Sequence, residues 1–485
     1  MLTAHSVDQV RQAEAALMAQ LPEGELMQRA VAGLTSECVR LLSRVYGARV
    51  VVVAGSGDNG GDALYATARL ARRGAKVEAV LLDEKRAHAG GLAALRTAGG
   101  RVTAAGEWRF AGADLVLDGV VGIGGRGGLR PDAAAVFDQF EHSERSEKVR
   151  PLIVAVDLPS GIDADTGEVT GPAVHADVTV TFGTYKPGLL ISPGAEHVGD
   201  LRFVDIGLAP HLEGAPVLEA LEEADVQALL PTPSAESNKY RRGVVGIAAG
   251  SPRYPGAAVL ASGAALRSGA GAVRFVGEPG VCGGVLAHYP EVMIGDGRVQ
   301  AWVVGPGLGP DSADRVATAL AAGVPVLVDA DGLTALTQLE HPHPALLTPH
   351  AGEAARLLGA PWTAESIEAH RLTAVRELAD RFGCTVLLKG STTLVADPGH
   401  TAVRVNRTGT PALATAGSGD VLSGLAGGLL AAGLHPLDAA STAAHLHGKA
   451  ARDVEGRHPG RQLISGDLIE ALTAAGSISQ PTSSE

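Results

Sequence analysis

Cysteine is nearly absent from this sequence: Cys38, Cys282 and Cys384 are the only three among 485 residues. Odd in number, far apart and without C-x-x-C spacing, they support neither a disulfide framework nor a zinc site, and they read as reduced packing residues. An excess of basic charge is missing too. Forty Lys and Arg against 53 Asp and Glu give a formal net charge of −13, which argues against a general nucleic-acid or membrane-surface binder while leaving room for a local basic pocket around a nucleotide. No apolar run is long enough to span a membrane; the most apolar stretch, 421–434, is short and rich in glycine. The N-terminal segment MLTAHSVDQVRQAEAALMAQ lacks a basic region followed by an apolar one, so it does not read as a secretory signal. Aromatics are scarce, at 3%, and no repeat of solenoid length is visible. A cytoplasmic protein working on small molecules is the expectation.

What is abundant is glycine, 64 residues, in a chain that is 46% hydrophobic. That composition fits globular domains with many tight turns. Short valine-rich runs, ARVVVVAGSG, KVEAVLL, ADLVLDGVVGIG, LIVAVDLPSGI, ADVTVTFG and LRFVDIGL, alternate with segments of helical spacing. Continuous apolar strands separated by helices imply a largely parallel sheet covered on both faces, a doubly wound, Rossmann-like α/β domain. The charged stretch ERSEKVR reads as a solvated loop. Prolines flank an acidic helical stretch between 209 and 242, which places a domain boundary near 212–221. Strand-like runs then resume with GVVGIAAGS, AVRFVGEP, AWVVGPGLG, PVLVDADGL, ALLTPHAGE and CTVLLKGSTTLVAD, forming a second α/β domain with helices after Asp420 and around His445. The expected extents are 1–215 and 222–478, with the polar tail GSISQPTSSE disordered.

In the first domain GSGDNGGDA follows a strand and precedes a helix, the context of a phosphate-cradling loop. It satisfies G-x-G-x-x-G at Gly55, Gly57 and Gly60, but so does a plain strand-to-helix turn capped by Asp58 or Asn59. Asp58 and Asp62 put two negative charges where a pyrophosphate would sit, which demands a compensating cation or different contacts. Asp118, Asp157, Ser160 and Lys186 mark three more strand ends, and ligands of open parallel sheets collect at such ends. Asn59, Asp118 and Ser160 offer hard oxygen ligands for a monovalent cation. Asp157 is a candidate acid/base or, equally well, a turn aspartate.

In order, LPEGELMQRA, GSGDNGGDALYATARL, DGVVGIGGRG, VDLPSGIDADTG, TYKPGLL and VDIGLAP resemble the NAD(P)H-hydrate epimerase domain, over nearly the whole first part. The resemblance implies that the substrate phosphates are held at Asp58, Asn59, Gly60, Gly61 and Asp62, and at Gly122, Ile123, Gly124, Gly125, Arg126, Gly127 and Gly128. It also implies a potassium ion at Asn59, Asp118 and Ser160, and acid/base duty for Asp157. This chain departs from the family's usual G-N-N-G-G-D-G loop at Asp58 and Ala63.

In the second domain GTPALATAGSGDVLSGLAGG places Gly417 to Gly419 as an anion nest at the start of an apolar helix with Asp420 in its first turn. A carboxylate there serves as a helix cap, or it takes a proton from a hydroxyl about to attack a phosphoryl group held on the nest. Lys389, Gly390, Ser391, Thr392 and Thr393 end a strand in a form suited to nucleotide phosphates, or make an exposed turn with a solvated lysine. His350 and Glu353 read better as a helix-start capping pair than as half a metal site. His445 and His447 point apart on one helix.

NKYRRGVVGIAAGSPRYPGAAVLASGAALRSGAGAV, YPEVM, GPGLG, DADGL, LLTPHAGE, LLKGSTT and NRTGTPALATAGSGDVLSGLAGGLLAAG, over about 238–452, resemble the ADP-dependent NAD(P)H-hydrate dehydratase, a relative of the ribokinase-like small-molecule kinases. The resemblance implies hydrate contacts at Ala257, Gly307, His350 and Asp420, and nucleotide contacts at Lys389 to Thr393 and Gly419. It further implies NADH and NADPH hydrates (NADHX, NADPHX) and ADP as substrates, magnesium, and a homo-oligomer. A kinase for a vitamin-like alcohol is the principal rival, because the same nest and carboxylate suit it. A non-enzymatic nucleotide sensor and an NAD-dependent dehydrogenase stand behind it.

Overall fold

The computed structural model describes residues 1–103, 112–143, 150–231, 239–309, 312–339 and 343–475. The tail 476–485, most of ERSEKVR and most of the segment before Lys239 lie outside the described residues. The chain divides into two compact units, Thr3–Val217 and Leu218–Glu485, the latter joined by Met1–Leu2.

The first unit runs from the short strand β1 (Leu2–Ala4) through α1 (Val7–Met18), α2 (Glu25–Leu41), β2 (Arg49–Ala54), α3 (Asp58–Arg72), β3 (Lys76–Leu81), α4 (Ala89–Thr97), β4 (Arg101–Thr103), β5 (Leu115–Gly119), α5 (Pro131–Ser143), β6 (Leu152–Val156), β7 (Val178–Phe182) and β8 (Asp200–Val204). Strands β2 to β8 form one parallel sheet in the order β4-β3-β2-β5-β6-β7-β8. The valine run explains its double cover. Successive side chains of a strand point to opposite faces, so Val50 and Val52 join a core with Leu34 of α2 and Leu64 of α3. Val51 and Val53 join another with Ala133 and Phe137 of α5. The order reverses between β2 and β5, and a crevice opens at the carboxyl ends of such strands.

The second unit contains β9 (Leu218–Ala220), α6 (Glu223–Leu229), β10 (Val244–Ala248), α7 (Pro255–Arg267), β11 (Ala272–Phe275), α8 (Pro279–His288), β12 (Met293–Ile294), β13 (Ala301–Val304), α9 (Ser312–Leu320), β14 (Val326–Val328), α10 (Asp331–Leu336), β15 (Leu346–Leu347), α11 (Ala351–Leu358), α12 (Ala364–Ala369), α13 (Arg371–Phe382), β16 (Thr385–Leu388), β17 (Leu394–Asp397), β18 (His400–Val405), α14 (Ser418–Ala431), α15 (Pro436–Arg457) and α16 (Ser465–Ala475). Its sheet runs β1-β9-β18-β17-β16-β15-β14-β13-β10-β11-β12; from β9 to β12 the pairs are parallel except where β17 pairs antiparallel with β16 and β18. The segment CTVLLKGSTTLVAD, which reads as one run, is a hairpin: its polar centre forms the turn between β16 and β17. The order reverses again between β10 and β13, so the ends of β10, β13, β14, β15 and β16 line one edge.

Helix α14 is buried from Val421 to Ala431, and its glycines seat closely on α7 and the Ser268 that caps it. A Cβ at Gly424 would fall 2.1 Å from the Ala261 carbonyl oxygen, and one at Gly428 would fall 1.8 Å from Ser268 Oγ. Cys38 and Cys384 are buried free thiols, pushed up to about 12 by burial. Among the described residues no helix is long and apolar enough to cross a membrane.

Candidate active sites

In the first unit the turn after β2 leads into α3 with Gly57 as an N-cap that offers no side chain. The helix therefore presents bare amides to the crevice. That crevice is a cleft of about 1950 Å³ lined by Asp58, Asn59, Asp62, Gly122 to Gly128 and Asp157. Gly60 and Gly61 are buried behind it.

Asp118 is fully buried at the end of β5. Its Oδ1 accepts Ser160 Oγ at 2.7 Å and Val120 N at 3.2 Å, and its Oδ2 accepts Ser160 N at 2.8 Å. Burial pushes the carboxyl up to about 6, against the opposing pull of those donors. Ser160 Oγ also accepts Val121 N at 2.9 Å. The Asn59 side chain lies against Gly122, the next residue of this turn, and its Nδ2 is buried without a partner. The three residues expected to hold a cation thus surround one turn. The oxygens of Asn59, Asp118 and Ser160 are hard donors of the type a monovalent ion takes, whereas the unpaired Asn59 Nδ2 is a hydrogen-bond donor and is no ligand for it. Among the described residues no cluster of three His, Cys, Asp or Glu side chains forms a metal centre.

Asp157 follows β6 with φ of 67°, left-handed backbone that Asp tolerates better than most residues and that marks sites where strain is held by the surroundings. Its Oδ1 accepts Lys186 Nζ at 2.5 Å, Thr181 Oγ1 at 3.2 Å and Phe182 N at 3.2 Å. Lys186 is 1% exposed, and its Nζ is completed by Thr181 Oγ1 and the Phe182 carbonyl, both at 3.0 Å. Asp157 is therefore more than a turn residue, since a buried lysine is spent on it. Two further acids face the same cleft. Burial first, then Asp157, Asp58 and Glu14, push Asp62 well above the ordinary carboxylate range, and Asp62 Oδ1 has no partner. Glu14 of α1 is likewise raised, by burial and then by Asp157. Sequence reading misses Glu14, because it sits on an ordinary amphipathic helix.

In the second unit Gly417 caps α14 with φ of 84° and no side-chain cap, so only glycine fits the nest without strain. Asp420 lies one turn inside. Burial, then Asp329, push its carboxyl up to about 6, while Lys389 pulls the other way. Lys389 Nζ bonds Asp329 Oδ1 at 2.8 Å and lies 3.9 Å from Glu353 Oε2. Burial alone would lower this lysine, but Asp329, Glu353 and Asp420 hold it above its ordinary value. A Cβ at Gly419 would sit 3.6 Å from the same Nζ. Lys389 is thus no solvated turn lysine. Asp329 Oδ2 also accepts Ser423 Oγ at 2.7 Å, which ties the end of β14 to α14. Ala330, with φ of 48°, holds backbone strain between Asp329 and Asp331.

His350 caps α11: its Nδ1 accepts Gly352 N at 3.0 Å, and Glu353 Oε2 accepts His350 N at 2.8 Å. This is the capping reading, and it leaves the imidazole 56% exposed. Gly307 lies against Ala257, where a Cβ would approach Ala257 Cβ to 2.8 Å. The 389–393 turn is organised from behind by Arg371, which is fully buried. Its Nη2 donates to the carbonyls of Leu388 at 3.2 Å, Lys389 at 3.0 Å and Thr392 at 2.8 Å, and its Nη1 meets Glu368 at 2.5 Å. Gly390 makes room, since a Cβ there would lie 2.4 Å from Nη1. Nothing in the local sequence marks this arginine. His445 pairs with Glu223 at 3.5 Å, whereas buried His447 turns to the Ser418 backbone and is pushed down to about 4 chiefly by burial.

Both units are open-sheet α/β enzyme domains with a glycine-built anion cradle beside a buried carboxyl. Comparison with known proteins narrows that class. A family model described as NAD(P)H-hydrate dehydratase matches residues 245–473, and one described as YjeF-related protein N-terminus matches 23–188. The chain is 50% identical over 465 residues to the Bifunctional NAD(P)H-hydrate repair enzyme Nnr of Mycobacterium leprae, covering 92% of this chain and 93% of that one. It is 34% identical to the protein of that name from Escherichia coli, covering 87% and 84%. The ADP/ATP-dependent NAD(P)H-hydrate dehydratase of Bacillus subtilis, a solved structure, is 30% identical, covering 53% of this chain and 96% of that one, with a TM-score of 0.49. This chain belongs to the bifunctional NAD(P)H-hydrate repair enzyme family.

Proposed function

We propose that the protein restores NADH and NADPH from their hydrates. The first unit interconverts the R and S epimers, and the second dehydrates the S form at the expense of ADP, giving AMP and phosphate. The observation that carries the second half is Asp420, raised to about 6 beside an uncapped glycine nest and the half-buried Lys389. A base of that strength is suited to proton abstraction near neutrality.

Asp420 takes the proton of the ring hydroxyl, whose oxygen attacks the terminal phosphorus of ADP, and the bond to AMP breaks. The resulting phosphate ester leaves as the ring nitrogen's lone pair expels it, and loss of a proton from the neighbouring carbon forms the double bond. The 389–393 turn and Gly419 bind the nucleotide phosphates, while Ala257, Gly307 and His350 face the hydrate. Lys389 keeps the carboxylates around Asp420 from repelling an incoming polyphosphate. Magnesium arrives on the nucleotide, as is usual for an ion held mainly by phosphates with one or two carboxylates. Asp331 would hold it beside the phosphates, leaving Asp420 free as the base, and it would supply charge neutralisation.

In the first unit the amides of the α3 and 122–128 turns bind the substrate phosphates, and Asp157, fixed by Lys186, moves the proton during epimerisation. The oxygens of Asn59, Asp118 and Ser160 would hold potassium, which would supply a charge offsetting the acids of the cleft. The test is to incubate the protein with mixed-epimer NADH hydrate, ADP, magnesium and potassium and follow the dihydronicotinamide absorbance. Full ADP-dependent recovery is expected. No recovery with ADP or ATP would overturn the repair reading, and a stable phosphorylated alcohol formed from ATP would favour the kinase.

A further inference from the structure

The unit β2–α3–β3 carries a feature that the epimerase reading does not use. In a parallel sheet with a pyrophosphate at the turn after the first strand, the end of the next strand faces the adenosine ribose. An acid there bonds the free ribose hydroxyls, and a nearby arginine accommodates a phosphate on that sugar. The residues after β3 are Asp83, Glu84, Lys85 and Arg86, so residue type alone allows either.

Their partners decide it. Asp83 Oδ1 accepts Lys85 N at 3.1 Å, which engages one of its two oxygens in its own turn. Glu84 Oε1 pairs with Arg96 Nη2 of α4 at 2.7 Å. Lys85 and Arg86 are exposed, line the large cleft, and make no side-chain ion pair among the described residues. The cleft also carries Glu14, Asp58, Asp62 and Asp157, and its exposed Arg126 and Arg130 follow β5, on the other side of β2; Lys85 and Arg86 are the cations placed after β3, where the ribose is expected. A guanidinium presents paired donors that match phosphate oxygens, and an ammonium adds a mobile charge.

We infer that the first site selects for the dinucleotide hydrate bearing a phosphomonoester on its adenosine ribose, NADPH hydrate over NADH hydrate, and that Lys85 and Arg86 bind that phosphate. The inference rests on the epimerase reading of the cleft and deepens it.

The test uses the full chain with Asp420→Asn, so that dehydration does not consume the substrate, and follows interconversion of purified epimers of each hydrate by chromatography. A kcat/KM ratio of about tenfold or more in favour of the phosphorylated hydrate is expected, the size of one good charge-assisted contact. It should fall to near one in Lys85→Ala/Arg86→Ala and sit between in Arg86→Lys. Parity before mutation, or a preference that survives the double substitution, overturns the inference. Titration with NADP⁺ and NAD⁺ separates the two possible failures. If neither hydrate epimerises, the epimerase reading falls, yet a preference for NADP⁺ abolished by the double substitution still assigns the phosphate to Lys85 and Arg86. Equal binding of the two nucleotides removes that assignment too.

Discussion

Replacing Arg371 by methionine tests how the nucleotide turn is built. Methionine keeps much of the aliphatic stem but removes every donor. Three buried carbonyls, those of Leu388, Lys389 and Thr392, then lose the same Nη2, while Glu368, 47% exposed, can turn to water. A buried polar group left unsatisfied costs about 1–3 kcal/mol, and partial relaxation of the turn brings the total to about 3–6 kcal/mol. At about 2–4 °C per kcal/mol for a domain of this size, the thermal midpoint of the second unit should drop by roughly 6–24 °C. The functional signature is separate from the thermal one. Below the transition, KM for ADP should rise more than kcat falls, because the turn that meets the phosphates is displaced while Asp420 stays on α14. Gly390→Ala provides the converse, pushing the guanidinium away while keeping its charge, and should raise KM for ADP as well. A midpoint within 2 °C of the unmodified protein together with an unchanged KM in Arg371→Met would refute the argument.

Asp420→Asn should bind hydrate and ADP normally and lose about 10²–10⁴-fold in turnover; near-normal turnover would exclude the base role. The same substitution should stabilise the fold at pH 7. Because burial raises the Asp420 carboxyl from 3.8 to about 6, the folded state favours its proton, so this residue's stabilising contribution is full below about pH 4 and lost as pH rises through 6. The advantage of asparagine should accordingly vanish on acidification toward pH 4, read by urea melts at several pH values, and kcat/KM of the unmodified dehydratase should fall below about pH 6. Asp157→Ala should leave dehydration of the S epimer intact while recovery from a mixed-epimer sample stalls at that epimer's share. An undiminished second phase, faster than spontaneous epimerisation, would remove Asp157 from the mechanism.

The fold was legible where burial is two-sided. The valines of β2 announce a central strand because both faces need apolar side chains, and the glycine turns after β2 and before α14 announce anion cradles because backbone must be bare there. Short strands at the margins were not legible. β4 and β9 are three residues long, β12 is two, and β18 opens with His400 and Thr401, so none shows enough pattern to compete with loop. Residues that act through backbone were equally hidden. Arg371 reaches carbonyls 17 to 21 positions away, and no local motif encodes that. Lys186 was visible as a polar strand end, but its pairing with Asp157 depends on the left-handed turn after β6, which only the folded chain reveals.

The bare contact between α14 and α7 sets a lever. Gly428 is eight residues from Asp420, about 12 Å along a helix that rises 1.5 Å per residue. With backbone resting on backbone, a methyl group added at Gly424 has nowhere to go except into a tilt of the whole rod. A tilt of about 5° would swing Asp420 by about 1 Å, enough to cost on the order of a hundredfold in rate when reacting groups must be aligned. Part of the alignment of the dehydration site is therefore stored in residues that no substrate ever touches.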